Sequence, residues 1–167
     1  VWLENGTLAW HVIGDGAAVG LCGSGLLDLL AMLLELGIVD ETGYLLPPED
    51  APEGFEAWLD EDENGNGCFW LTDEVCFTAA DVRQLQLAKA AVAAGISVLM
   101  ETAEVDFEDI DALVLAGGFG SHMSAESAVT IGMLPDIDLD RFSYIGNSSL
   151  SGAYAMLTST QSREKVD

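Results

Sequence analysis

The chain has 167 residues, half of them apolar, and a formal net charge of −24 from 29 acids set against five bases. That length suits one globular domain, or part of one, with a real core. The charge excludes nucleic acid or an anionic membrane as a broad-surface partner. No uninterrupted apolar run approaches the roughly 18 residues of a membrane span, and no basic-then-apolar signal pattern opens the chain.

Cys22, Cys68 and Cys76 are odd in number, and their spacing matches no zinc or iron–sulfur ligand pattern. The simplest account is a reduced, cytoplasmic chain with no metal or cluster of its own. The abrupt strand-like start, Val1-Trp2-Leu3, reads as a cut from a longer chain.

Trp2 to Glu4 and Leu8 to Ile13 flank Asn5-Gly6, the dipeptide of a two-residue hairpin turn. His11 falls on the second strand of that hairpin. A glycine-rich passage, Gly14 to Gly25, comes next. Its glycines are wrongly spaced for a dinucleotide fingerprint, and no Gly-Lys-Ser/Thr is present for a Walker A loop. A helix starts with Ser24 as N-cap and runs to Glu35 or Leu36, with Gly37 as its stop. Its leucines leave a thin polar strip of Asp28, Ala31 and Glu35, so most of its circumference is buried. The amides of Gly23, Ser24 and Gly25 at that helix start suit hydroxyl or phosphate oxygens, or else simply cap a buried helix.

Residues 38 to 77 read as a small peripheral subdomain or insertion, with strand-like pieces at Tyr44 to Leu46 and Cys68 to Leu71. The run Asp60 to Glu63 reads as a solvated loop and Asn64 to Gly67 as a turn; an EF-hand would need a glutamate this loop lacks. Thr78 caps a long helix through about Ala103, with Asp81 in its first turn. Val82, Leu85, Val92, Ile96, Leu99 and Ala103 form its apolar stripe, and Lys89 sits in the middle of it with Gln86 about 60° away. Lys89 either snorkels from under its neighbours or stands at the lip of a cleft.

The remainder alternates strand and helix: strand Ala112 to Ala116, helix Ser124 to Ile131, strand Phe142 to Ile145, then a helix from Asn147 to about Leu157. This is an α/β pattern with strands buried beneath helices. The first of these strands empties into Gly117-Gly118-Phe119-Gly120, where missing Cβ atoms let backbone approach a flat or anionic ligand. His11 and His122 have no triad context, Gly23-Ser24-Gly25 is not a nucleophile elbow, and no catalytic residue stands out. The residues suggest a ligand-binding half-site.

Taken together, Gly20-Leu21-Cys22-Gly23-Ser24-Gly25-Leu26-Leu27-Asp28, the helix Asp81 to Gly95 and Leu115 to Gly120 resemble the C-terminal domain of the ATP-dependent reductive activators of corrinoid proteins. Ile131-Gly132-x-Leu134-Pro135 and Ile145-Gly146-Asn147-x-x-Leu150-x-Gly152-Ala153 extend the resemblance, in order, to nearly the whole chain. That family is similar to the superfamily of acetate and sugar kinases, chaperone ATPases and actin (ASKHA). Two ribonuclease-H-like halves there close over a nucleotide.

The resemblance implies that Gly117, Gly118, Phe119 and Gly120 form the adenosine motif. It likewise implies that Gln86 and Lys89 flank adenine and ribose, that Gly23, Ser24 and Gly25 line the ribose and phosphate side, and that Gly152 and Ala153 pack near the interdomain hinge. It implies ATP with Mg²⁺ in the complete domain, a [2Fe–2S] cluster and the phosphate loops outside this chain, and a homodimer. The partner is a corrinoid protein or corrinoid methyltransferase system, whose Co(II) is reduced to Co(I) at the expense of ATP. The alternatives are a sugar- or acid-kinase fragment, an activator of 2-hydroxyacyl-CoA dehydratases, and a non-catalytic actin-like assembly module.

Overall fold

The computed structural model describes residues 1–4, 6–61 and 65–165. Two strands, β1 (Trp2–Glu4) and β2 (Thr7–Ala9), form the opening hairpin with Glu4 opposite Thr7. That register leaves a two-residue loop, and Gly6 takes φ +78°, as a tight hairpin demands. Asn5 lies outside the described residues. The second strand stops at Ala9 rather than Ile13, so His11 lies in the loop beyond the hairpin.

Helix α1 (Gly23–Glu35) begins two residues earlier than its sequence suggests. Its N-cap is Cys22, not Ser24: Cys22 holds extended dihedrals, and its Sγ accepts from the Gly25 amide at 3.4 Å, so Ser24 is already inside the first turn. Gly37 at φ +70° ends the helix as anticipated, and the Ile38 amide returns to the Leu33 carbonyl. Leu27, Leu29, Leu30, Met32 and Leu33 are buried, and so is Ala31, which belongs to the core rather than to a polar strip.

The segment after α1 folds into a three-stranded antiparallel sheet, ordered β3 (Leu59–Glu61), β4 (Gly67–Thr72) and β5 (Val75–Thr78). Leu45 makes only an isolated bridge with Val39. The register places Leu59, Phe69 and Phe77 side by side, and Trp58 stacks on Phe69 with ring centroids 6.1 Å apart. Phe69 and Phe77 are wholly buried and join the α1 leucines in one cluster. Each such side chain contributes roughly 1.5–3 kcal/mol, so this helix-on-sheet layer carries the core. The acidic run and the turn after it fall partly outside the described residues.

Helix α2 (Ala79–Ala103) starts in a capping box: Thr78 Oγ1 accepts from the Asp81 amide at 3.2 Å, and the Asp81 carboxylate accepts from the Thr78 amide at 2.9 Å. Its anticipated apolar stripe is largely uncovered. Val82 is buried and Leu85 and Ile96 are half-buried, while Val92 and Leu99 face solvent. By length and composition α2 is also long and apolar enough to cross a membrane.

The last third carries β6 (Leu113–Leu115), a single helical turn α3 (Gly117–Gly120), α4 (Ala125–Thr130) capped by Ser124, β7 (Phe142–Tyr144), α5 (Ser148–Thr158) capped by Asn147, and α6 (Thr160–Glu164). β6 and β7 pair in parallel, Val114 opposite Ser143. Leu115 points into the core, but Val114 and Ser143 share a face open to solvent. Burial beneath helices therefore holds for one side of this sheet only.

Candidate functional site

A cleft of about 550 Å³ opens where the start of α1 meets the end of β6. Gly23, Ser24 and Gly25 line it from one side, Gly118 and Phe119 from the other, with Trp10, His11 and His122 at its margins. The two glycine passages are in direct contact. A Cβ built on Gly23 would stand 2.7 Å from the Phe119 ring, so only glycine lets the ring lie against the helix start.

Glycine is needed at Gly117 for a different reason. It sits at φ +95°, a conformation that turns the chain from β6 into α3, and its amide donates to the Gly146 carbonyl at 2.7 Å. A Cβ at Gly117 or Gly118 would meet nothing within 4 Å, so open space lies against this backbone. Gly120 is buried beneath the turn, against Leu115.

At the helix start the Gly25 and Ser24 amides both turn toward the Cys22 sulfur, while the Gly23 amide meets no acceptor among the described residues. An unpaired N–H group at the positive end of a helix suits an oxygen acceptor. The exposed Cys22 thiol is held below its ordinary pKa, chiefly by the Ser24 hydroxyl at 3.4 Å and next by the Gly25 amide. On the cleft floor, Asp28 accepts from Ser127 Oγ at 2.7 Å, tying α1 to α4. His122 is oriented by a 2.9 Å contact between Nδ1 and the Gly118 carbonyl. Among the described residues no Lys or Arg lines this cleft, and no group of three His, Cys, Asp or Glu residues could hold a metal ion.

Gln86 and Lys89 do not line the cleft. Gln86 Nε2 donates to the Thr42 carbonyl at 2.8 Å and its Oε1 accepts from Arg83 at 3.0 Å. The Lys89 ammonium donates to the Ile131 carbonyl, at the C-terminal end of α4, at 2.6 Å. Both side chains fasten α2 to neighbouring elements. The structure therefore brings together Gly23, Ser24, Gly25, Gly118 and Phe119, and holds Gln86 and Lys89 apart from them.

Four cleft residues carry little signal in the sequence. Trp10 and His11 lie in what reads as strand, and His122 stands without catalytic context. The Asp28–Ser127 pair spans 99 residues, a separation that no local periodicity encodes.

Residues 1–167 match the family described as the C-terminal domain of RACo, the ASKHA domain. The corrinoid activation enzyme RamQ of Eubacterium limosum is 33% identical over 171 residues; the match takes in 96% of this chain and 29% of that protein. A solved reductive activator for corrinoid, iron-sulfur protein superposes with a TM-score of 0.76 at 39% identity, covering 87% of this chain and 23% of the other. The chain thus spans less than a third of either relative. With the glycine cleft built on a mixed α/β core and the whole length matched, this chain belongs to the family of RACo C-terminal ASKHA domains.

Proposed function

We propose that this chain is the adenosine-binding half of the nucleotide site in a longer activator that uses ATP to return a corrinoid protein from Co(II) to Co(I). The observation that carries this reading is the convergence of two glycine passages, distant in sequence, on one cleft. Gly117 and Gly118 present backbone with open space above it, the surface a flat base requires. The unpaired Gly23 amide supplies a donor for a ribose or phosphate oxygen.

The nucleotide fits this chain only in part. With no cation lining the cleft, the charge of a triphosphate and its Mg²⁺ must be met by residues outside the 167. ATP supplies a difference in binding free energy between two conformations of the activator, and a [2Fe–2S] centre elsewhere in it supplies the electron. The chain's own residues bind and orient: the glycines admit the base, Phe119 and Trp10 shield it from water, and Gln86 and Lys89 keep α2 seated behind the site. A cytoplasmic homodimer serving a corrinoid protein or corrinoid methyltransferase system completes the proposal.

The test is Gly118→Ala in the full activator polypeptide. Because a Cβ there meets no protein atom, thermal stability should stay constant while Mg-ATP affinity falls by roughly tenfold, about 1.4 kcal/mol. Calorimetry showing equal affinity for the variant would place the base elsewhere.

A further inference from the structure

The chain has two histidines, His11 and His122, and both line the cleft between the glycine passages. They are held differently. His11 lies in the loop beyond the hairpin with its side chain 70% exposed, and Nε2 stands 3.8 Å from the exposed Asp15 carboxylate. His122 follows directly on the glycine turn. Its amide donates to the Phe119 carbonyl at 3.1 Å, and the next residue, Met123, is buried in the core. Ser121 Oγ ties the same turn to the Gly117 carbonyl at 2.7 Å. The His122 ring is fastened through Nδ1 to the Gly118 carbonyl at 2.9 Å. It is thus positioned by the very backbone that bounds the cleft.

That contact fixes the tautomer. A carbonyl oxygen only accepts, so Nδ1 carries the hydrogen of the neutral ring and Nε2 is left as an acceptor. No donor among the described residues reaches Nε2. Being tied to Gly118, this acceptor stands beside the open backbone that suits a flat base, across the cleft from the Gly23 amide. The adenine of a nucleotide carries N–H donors at one place, its exocyclic amino group; guanine carries a carbonyl oxygen at the same place. The first pairs with an imidazole lone pair and the second is repelled by it.

We propose that His122 determines the base specificity of this cleft: its Nε2 accepts from the exocyclic amino group of adenine and disfavours purines with a keto group there. The inference rests on the reading that the cleft holds the base of a nucleotide, and it names the side chain that selects which base. Because the ring is oriented by Gly118 before any ligand arrives, little ordering is lost when the hydrogen bond forms. His11 lacks such a tie to the glycine turn and takes no part in the selection.

Calorimetry on the full activator polypeptide tests this, with His122→Ala against the unaltered protein. The probes are the magnesium complexes of ATP and of purine riboside triphosphate, which lacks the amino group. The variant should bind Mg-ATP about fivefold more weakly, the loss of one neutral hydrogen bond, and bind the purine analogue as before. An equal loss for both probes would assign His122 to holding the turn and overturn the proposal, and so would no loss for either. Discrimination between Mg-ATP and Mg-ITP should also narrow in the variant; unchanged discrimination would count equally against it. Gly118→Ala, measured alongside, separates the two readings. Weaker Mg-ATP binding there without a base-selective effect at His122 sinks this inference alone, whereas unchanged affinity in the glycine variant sinks both.

Discussion

Cys22 shows how one side chain serves two ends. As N-cap of α1 its sulfur accepts from Gly25, and the Ser24 hydroxyl and that amide together favour the thiolate. Iodoacetamide should therefore modify Cys22 ahead of Cys76 and the buried Cys68, with a rate midpoint below that of an ordinary thiol. Ser24→Ala should move that midpoint up, and an unmoved profile would discount the hydroxyl.

Asp40 offers a second titration. Its carboxylate accepts from the Thr42 hydroxyl at 2.7 Å and from the Thr42 and Tyr44 amides, which hold its pKa below the usual carboxylate value. A depressed carboxylate stabilises the fold above its unfolded pKa, and that stability is lost as pH falls through the folded value. Asp40→Asn should lower Tm at neutral pH and leave a shallower acid limb below about pH 4. An unchanged pH profile of Tm would count against this.

Among the elements, α2 is long, largely exposed and dependent on its ends. With a single fully buried residue in 25, it relies on the Thr78–Asp81 box, the Gln86–Thr42 tie and the Lys89–Ile131 tie. Thr78→Ala should destabilise the domain by about 1 kcal/mol, read as a shift in urea midpoint at constant slope. A larger loss with a changed slope would mean that α2 unfolds separately from the core. The caps of α2 and α5 at Thr78 and Asn147 stand where the sequence puts them, because a cap is decided by three or four neighbouring residues. The cap of α1 lies two residues ahead of the serine that the sequence favours, because Cys22 holds the extended dihedrals and Ser24 is already inside the first turn. The apolar stripe of α2 was legible as periodicity, yet periodicity does not say what covers it.

For the molecule as a whole, a net charge of −24 means the folded state works against its own repulsion. Raising salt shortens the Debye length from about 30 Å at 0.01 M to about 8 Å at 0.15 M, so Tm should rise over that range. A flat response would show that the acids are spread too widely to strain the fold. By itself the sequence determined the α/β order, most helix starts and the run of motifs that marks the family, since each is written in a few adjacent residues. Tertiary structure alone decided that Gly23 meets Phe119, that Asp28 holds Ser127 across 99 residues, and that Gln86 and Lys89 bind backbone away from the cleft. Those pairings join residues far apart in the chain, which no spacing within one element records.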